Sequence, residues 1–386
     1  MRRDHHLQAF GAHLRESMAC ALQPDGKRTL PFDDLALELF QLQFEANPAY
    51  RRFCEVRGAG KLIPAHWTDI PSVPTSAFKE WELTCIPVEE RTRVFLSSGT
   101  TEQRPSRHFH NQNSLAIYET SLVGWFAAHF PSCAETELVV SLTPDSTQAP
   151  HSSLVHMFET VRRQRNARDF VFVGEVLPDG SWRVDCLGAI EVLCSAEAGK
   201  QPVLLLGTAF SYVHLLDHLE ERGLRLNLAA GSRVLETGGY KGRSRALPKH
   251  QLHALITDRL GVLAAHILCE YGMSELSSQA YDRAAPATPS DRPVQDGFES
   301  KLSRRHAGAP RDFHFPPWAR VQLISPETGR EVAEGETGLI RVFDLANVYS
   351  VLAIQTEDLA IRRGTGFELI GRASMAEPRG CSLMAG

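Results

Sequence analysis

Apolar side chains lay out the elements of this chain before any motif does. At Leu35, Leu37, Leu39, Phe40 and Phe44 they follow the spacing of one helix face. Pro64, Pro71 and Pro74 then interrupt helix and strand alike, and residues 71–79 read as a rigid, partly extended stretch. From there the pattern alternates. Short apolar runs at residues 93–96, 138–142, 170–173, 203–206, 234–236 and 266–269 predict strands. Residues 114–130, 211–221 and 249–260 predict helices. In the first of these Leu115, Tyr118, Leu122, Trp125 and Phe126 recur every three or four positions, with Asn111 or Asn113 as cap. Such alternation predicts an α/β sheet with helices on its faces. Residues 284–310, with Pro286, Pro289 and Pro293, read as a surface loop. Residues 318–324 and 339–343 read as antiparallel strands around the turn Ser325-Pro326-Glu327-Thr328-Gly329. The expected division is residues 1–90, helical and proline-rich; 91–300, the α/β core; 301–370, a β-rich subdomain; and 371–386, a tail.

Composition narrows the function classes. At 386 residues and 43% hydrophobic, the chain can bury a substantial core. A formal charge of -5 gives no electrostatic case for nucleic acid or an anionic membrane. The N-terminus lacks the apolar run of a signal peptide, and no stretch approaches the length of a membrane span. The eight cysteines form no C-x-x-C pair, so neither a zinc site nor a redox dithiol is indicated, and a reduced cytoplasm is the expected location. Cys381 stands apart from the rest. Its neighbours are Arg379, Gly380 and Ser382, five residues from the end of the chain.

Three segments can carry chemistry. Ser97-Ser98-Gly99-Thr100-Thr101 follows a predicted strand, and its backbone N–H groups and four hydroxyls suit phosphate oxygens. It does not match the G-x-x-x-x-G-K-[ST] phosphate loop. An ordinary polar turn is the alternative. Tyr271-Gly272-Met273-Ser274-Glu275 follows another predicted strand, where α/β sheets hold ligands. Tyr271 there can stack on a base and Glu275 can hold Mg²⁺; a helix start capped by Ser274 is the alternative. Gln355-Thr356-Glu357-Asp358 follows the strand-like run 348–354 and offers carboxylates to ribose hydroxyls, or is simply a charged turn.

Order and spacing of these segments, with Gly371-Arg372 downstream, resemble the adenylate-forming superfamily of acyl-CoA synthetases, luciferases and peptide-synthetase adenylation domains. The resemblance implies its large N-terminal domain: layered sheets flanked by helices, plus a small β-barrel-like subdomain. It also implies an ATP site. Ser97, Ser98, Gly99, Thr100 and Thr101 would hold phosphates. Gly238 and Gly239, with Tyr271, Gly272 and Ser274, would line the adenine. Asp358 and Arg372 would contact ribose, and Glu275 would bind Mg²⁺. Within the superfamily the chain is most similar to the acyl-protein synthetases of bacterial bioluminescence, over roughly residues 70–383. The supporting residues are Ile70-Pro71-Ser72-Val73-Pro74, Phe78-Lys79, Ser106-Arg107-His108, Leu206-Gly207-Thr208-Ala209-Phe210, Gly238-Gly239-Tyr240-Lys241 and Arg379-Gly380-Cys381-Ser382.

That family activates a fatty acid as acyl-AMP, loads it on a C-terminal cysteine and hands it to a reductase. The implied acceptor here is Cys381, and the implied partner is an acyl-accepting reductase or a carrier protein. An acid–thiol ligase that passes the acyl group to coenzyme A or an acyl carrier protein is the first alternative; a degenerate scaffold subunit is the second. Glu102 departs from the superfamily, which has glycine there, and a carboxylate beside triphosphate is repulsive unless Mg²⁺, Arg104 or Arg107 offsets it. The chain is expected to lack the C-terminal lid domain and its catalytic lysine, which leaves Lys241, Arg107 and His108 as candidate cations.

Overall fold

A computed structural model of the chain describes residues 2–22, 30–57, 64–97, 104–131, 137–165, 169–238, 247–282 and 311–372. Its centre is a six-stranded sheet. Five parallel strands lie in the spatial order Ile267–Tyr271, Arg233–Thr237, Val203–Thr208, Leu138–Ser141, Phe170–Phe172. Ala280–Tyr281 adds antiparallel to the outer side of Ile267–Tyr271. Parallel strands are buried on both faces and read as continuous apolar runs, and every residue of Val203–Thr208 is buried. Helices Cys186–Ala198, Ala209–Glu221 and Lys249–Leu260 cover one face through Leu193, Leu216 and Ile256. Gln112–His129 and Ser153–Arg165 cover the other through Leu122, Phe126 and Phe158.

Local chemistry starts these helices where the sheet needs them. Asn111 caps the long helix: its side chain accepts from Ser114 N at 2.9 Å while Ser114 Oγ accepts from Asn111 N at 2.9 Å. Thr208 ends its strand and caps the next helix in one residue, accepting at Oγ1 from Ser211 N at 3.1 Å.

A second sheet carries Ala319–Ile324, Thr337–Asp344, Ala353–Arg363 and Gly366–Arg372 as an antiparallel run. Val73–Pro74, from the proline-rich stretch, pairs parallel to Ala353–Arg363. The N-terminal helices Phe32–Ala46 and Pro48–Val56 share a core with this sheet, in which Leu39 and Tyr50 meet Val342 and Ile354. Buried Gln43 ties the two: it donates to Asn347 O at 2.7 Å and accepts from Leu352 N at 2.9 Å.

Several expectations meet different outcomes. Helix Lys249–Leu260 runs as predicted and ends on Gly261 at φ 69°, a left-handed cap. Helices Ser153–Arg165 and Cys186–Ala198 have no counterpart in the sequence reading. Thr356 and Asp358 lie inside the strand Ala353–Arg363, not in a charged turn. Ser274 caps no helix; it belongs to a turn after Ile267–Tyr271. Residues 284–310 lie outside the described residues. Among the described residues no helix is long and apolar enough to cross a membrane.

Asp344 fastens the two sheets together. Its carboxylate accepts from Ser277 N at 2.9 Å, Ser278 Oγ at 2.7 Å and Ala346 N at 3.0 Å. Burial pushes this carboxyl up to about 6, against the pull of those donors. Asn347 adds a bond from Nδ2 to Glu275 O at 2.9 Å. Asp344→Ala would leave buried donors without a partner and should cost about 2–4 kcal/mol of unfolding free energy. Urea titration checks this, and a cost near zero would show that the seam does not depend on Asp344.

Candidate active site

The site forms where the parallel strands end, as open α/β sheets dictate. Its first wall is a hairpin of Arg93–Leu96 with Arg107–His110. The stems of the loop between them are pinned: Ser97 N donates to Ser106 O at 3.1 Å, and Ser106 N donates to Ser97 Oγ at 2.9 Å. Two bonds stitch this hairpin to the turn after Ile267–Tyr271. His108 Nδ1 meets Ser274 O at 2.9 Å, and Ser274 Oγ donates to Leu96 O at 3.2 Å. A carbonyl only accepts, so the proton of His108 sits on Nδ1.

The second wall comes from the antiparallel sheet. Tyr271 donates from its hydroxyl to Asp358 Oδ2 at 2.9 Å, and its ring packs against Phe313, Phe315 and Phe367. Arg372 stands opposite Asp358 in the strand register, with Nε 3.4 Å from Asp358 Oδ1. The register slips between Leu359 and Ala360, where Gly371 opposes the slip at φ 151°, a backbone conformation that favours glycine. That bulge carries the chain into Arg372 at the rim. Thr356 Oγ1 accepts from Asp358 N at 3.1 Å and steadies the same strand.

Burial sets the charges. His108 is deeply buried, and desolvation lowers its pKa to about 4 although the Ser274 carbonyl pulls the other way. It is therefore a neutral imidazole at neutral pH and supplies no cation, which removes it as the expected transition-state charge. Arg107, one residue earlier on the strand, points to the opposite side and reaches Glu82 at 3.4 Å. It does not join the turn that His108 meets. The Glu275 carboxyl is buried, which raises its pKa, while a hydrogen bond with Ser106 and the charge of Arg372 lower it. Burial prevails and the shift is upward; once ionised, the carboxylate offers hard oxygens of the kind a divalent cation takes.

The structure thus brings together Ser97, His108, Tyr271, Gly272, Ser274, Glu275, Asp358 and Arg372. Gly238 lies exposed just past the strand Arg233–Thr237, at the same sheet edge. Ser98, Gly99, Thr100, Thr101, Glu102, Gly239, Lys241 and Cys381 lie outside the described residues. The sequence reading missed Asp344 and Asn347, which hold the turn from behind and carry no linear signature. It also missed a buried cluster behind the Tyr271 strand, where Cys269 Sγ is 2.7 Å from Glu236 Oε2 and His253 Nε2 is 3.3 Å from the same oxygen. Arg311 faces the other nitrogen of His253, so Nε2 carries the proton and donates to Glu236.

The fold is that of the adenylate-forming enzymes. It superposes on 2-hydroxyisobutyryl-CoA ligase in complex with 2-HIB-AMP, in the postadenylation state, with a TM-score of 0.59 at 13% identity. That match covers 88% of this chain and 66% of the ligase, so the chain spans about two thirds of its length. In the thioesterification state the same ligase gives a TM-score of 0.60 at 14% identity, covering 89% and 69%.

The chain belongs to the LuxE acyl-protein synthetase family, whose family model matches residues 16–281. It is a ligase. A long-chain-fatty-acid–luciferin-component ligase of Aliivibrio fischeri is 22% identical over 371 residues, covering 91% of this chain and 86% of that protein. Its counterpart from Vibrio harveyi is 23% identical over 356 residues, covering 89% and 84%.

His108 gives a pH test. Its folded pKa of about 4 lies below the usual 6.5, so between those values the unfolded chain binds more protons. Its contribution is complete above the unfolded value and is lost as pH falls through the folded one. The His108 share of stability should therefore drop from neutral to about pH 4.5, and His108→Gln should remove that share from the pH profile. Urea midpoints across this range decide it; a His108 resonance titrating at the usual value in NMR would contradict the buried neutral ring.

Proposed function

We propose that this enzyme activates a fatty acid with ATP as acyl-AMP, loads the acyl group on Cys381, and passes it to an acyl-accepting reductase. The observation that carries the reading is the joined pair Tyr271–Asp358 beside Glu275 and the Ser97 loop stem, at the ligand edge of the sheet. A carboxylate is a poor electrophile, being anionic with a poor leaving group. In the first step its oxygen bonds to the α-phosphorus of ATP, and the bond to pyrophosphate breaks. In the second, the Cys381 thiolate bonds to the acyl carbon and AMP leaves.

The chain's groups divide the work. The Ser97 hydroxyl and the loop it begins receive phosphate oxygens. Tyr271 presents a ring edge and face to adenine, with its hydroxyl held by Asp358. Asp358 and Arg372 at the rim receive the ribose hydroxyls. Glu275 and loop hydroxyls are oxygen donors that would hold Mg²⁺, and a bound ion would supply charge neutralisation for the leaving pyrophosphate. His108 orients the Ser274 turn rather than donating charge. With His108 neutral and Arg107 turned toward Glu82, Lys241 is the candidate cation at the α-phosphate.

Arginine near a thiol lowers its pKa, and Arg379 stands two residues from Cys381. Intact-protein mass after incubation with ATP, Mg²⁺ and a long-chain fatty acid should show an ATP-dependent acyl adduct. Cys381→Ala should abolish that adduct while keeping acid-dependent ATP–pyrophosphate exchange. An adduct that survives the substitution would sink the acceptor assignment, and turnover only with added coenzyme A would favour a thiol ligase.

Glu275→Gln should slow pyrophosphate exchange by about a hundredfold, the usual loss for a well-placed charge-stabilising group. The thermal midpoint should move little. An exchange rate equal to the parent's would take Glu275 out of the metal site.

A further inference from the structure

Glu270 is a buried carboxyl that the adenylation chemistry leaves unused. It precedes Tyr271 on the strand, so its side chain leaves the opposite face. Leu268 of that face packs in one cluster with Tyr118 and Tyr281. Glu270 stands level with Tyr281 in the register, and its charge, after burial, raises the hydroxyl pKa of both Tyr118 and Tyr281. The carboxyl folds back along the strand to Gly272: a side-chain carbon at Gly272 would strike Glu270 Oε1, with Gln279 Cγ 3.6 Å away. The group thus sits directly beneath the Tyr271-Gly272 turn, at the ligand edge of the sheet.

What faces it is short of partners. Burial, then the like charge of Glu236, push Glu270 up to about 8, and no described residue supplies a hydrogen bond or a cation to offset them. The Tyr281 hydroxyl and Gln279 Oε1 are also buried without a hydrogen-bond partner. Gln279 Nε2 reaches only the Tyr118 hydroxyl, at 3.5 Å. Folded proteins keep few such groups, and here two of them stand around the Glu270 carboxyl. An unsubstituted alkyl chain laid against these groups would offer none of them a partner. A ligand bearing a donor would satisfy the carboxyl and the amide oxygen together.

We propose that the acid activated here carries a hydrogen-bond donor on its chain, an amine or a hydroxyl, and that Glu270 is the residue that selects it. This rests on the adenylation reading above, and it names a substituted fatty acid as the substrate class. Sites built to bond a substrate donor discriminate strongly against the analogue that lacks it.

The test is ATP–pyrophosphate exchange with acids of one chain length, unsubstituted or bearing an amine or a hydroxyl at successive positions. The best substituted acid should exceed its unsubstituted isostere by about a hundredfold or more in kcat/KM. In Glu270→Leu that ratio should collapse toward one, with exchange of the unsubstituted acid itself reporting a folded protein. Glu270→Gln separates the two donors: it should keep a hydroxyl preference and lose an amine preference. An unsubstituted acid used as well as any other, with a ratio unmoved by Glu270→Leu, overturns the selectivity proposal and leaves adenylation standing. No exchange with any acid overturns adenylation, and this inference with it.

Discussion

Tyr271 gives its hydroxyl proton to Asp358 across the seam between a parallel and an antiparallel sheet. The two residues are 87 positions apart, and neither sheet alone makes a site. The parallel sheet brings its strand ends to one edge; the antiparallel sheet supplies Asp358 and Arg372 to close over that edge. Burial of Tyr271 among Phe313, Phe315 and Phe367 fixes the ring from one side, and the carboxylate fixes its hydroxyl from the other. Asp344 and Asn347 hold the following turn against the same seam, so the position of Glu275 depends on contacts behind it.

Electrostatics at the seam follow from depth more than from pairing. His108, Glu270, Glu275 and Asp344 are all pushed toward their neutral forms by burial. Buried charge is costly unless paired, and a cluster of shifted groups at one sheet edge marks a candidate functional site. Under the proposed function, a triphosphate with its cation brings charge of that kind to Glu275. Glu270 lies on the other face of the strand, away from that charge. One strand, Ile267–Tyr271, thereby presents Tyr271 to one face of the sheet and Glu270 to the other.

Much of the fold was legible in the pattern of apolar runs. The run at 203–206 announced a strand because central parallel strands bury both faces. Lys249–Leu260 announced a helix because its apolar residues keep to one side. Ala353–Arg363 was only partly legible. Gln355, Thr356 and Asp358 look like turn residues in isolation, yet each finds a partner in the fold: Arg341, Ile340 O and Tyr271. Propensity gives way where tertiary contacts satisfy polar side chains. At the site, linear motifs marked Tyr271, Glu275 and Asp358. Glu270 sat within the same stretch unnoticed, because its isolation is a property of the packed sheet and not of its neighbours in sequence. Arg107 and His108 looked equivalent as cations, and only the alternation of a β-hairpin and the depth of one face set them apart.

The central claim is that a carboxylate oxygen attacks the α-phosphorus of ATP at this seam. Isotope transfer reads that bond directly. A fatty acid labelled with ¹⁸O in its carboxylate, turned over with ATP and Mg²⁺, should deliver one labelled oxygen to AMP, detected by mass spectrometry of the nucleotide. Label recovered in inorganic phosphate, with ADP as the nucleotide product, would mean attack at the γ-phosphorus and would contradict the account.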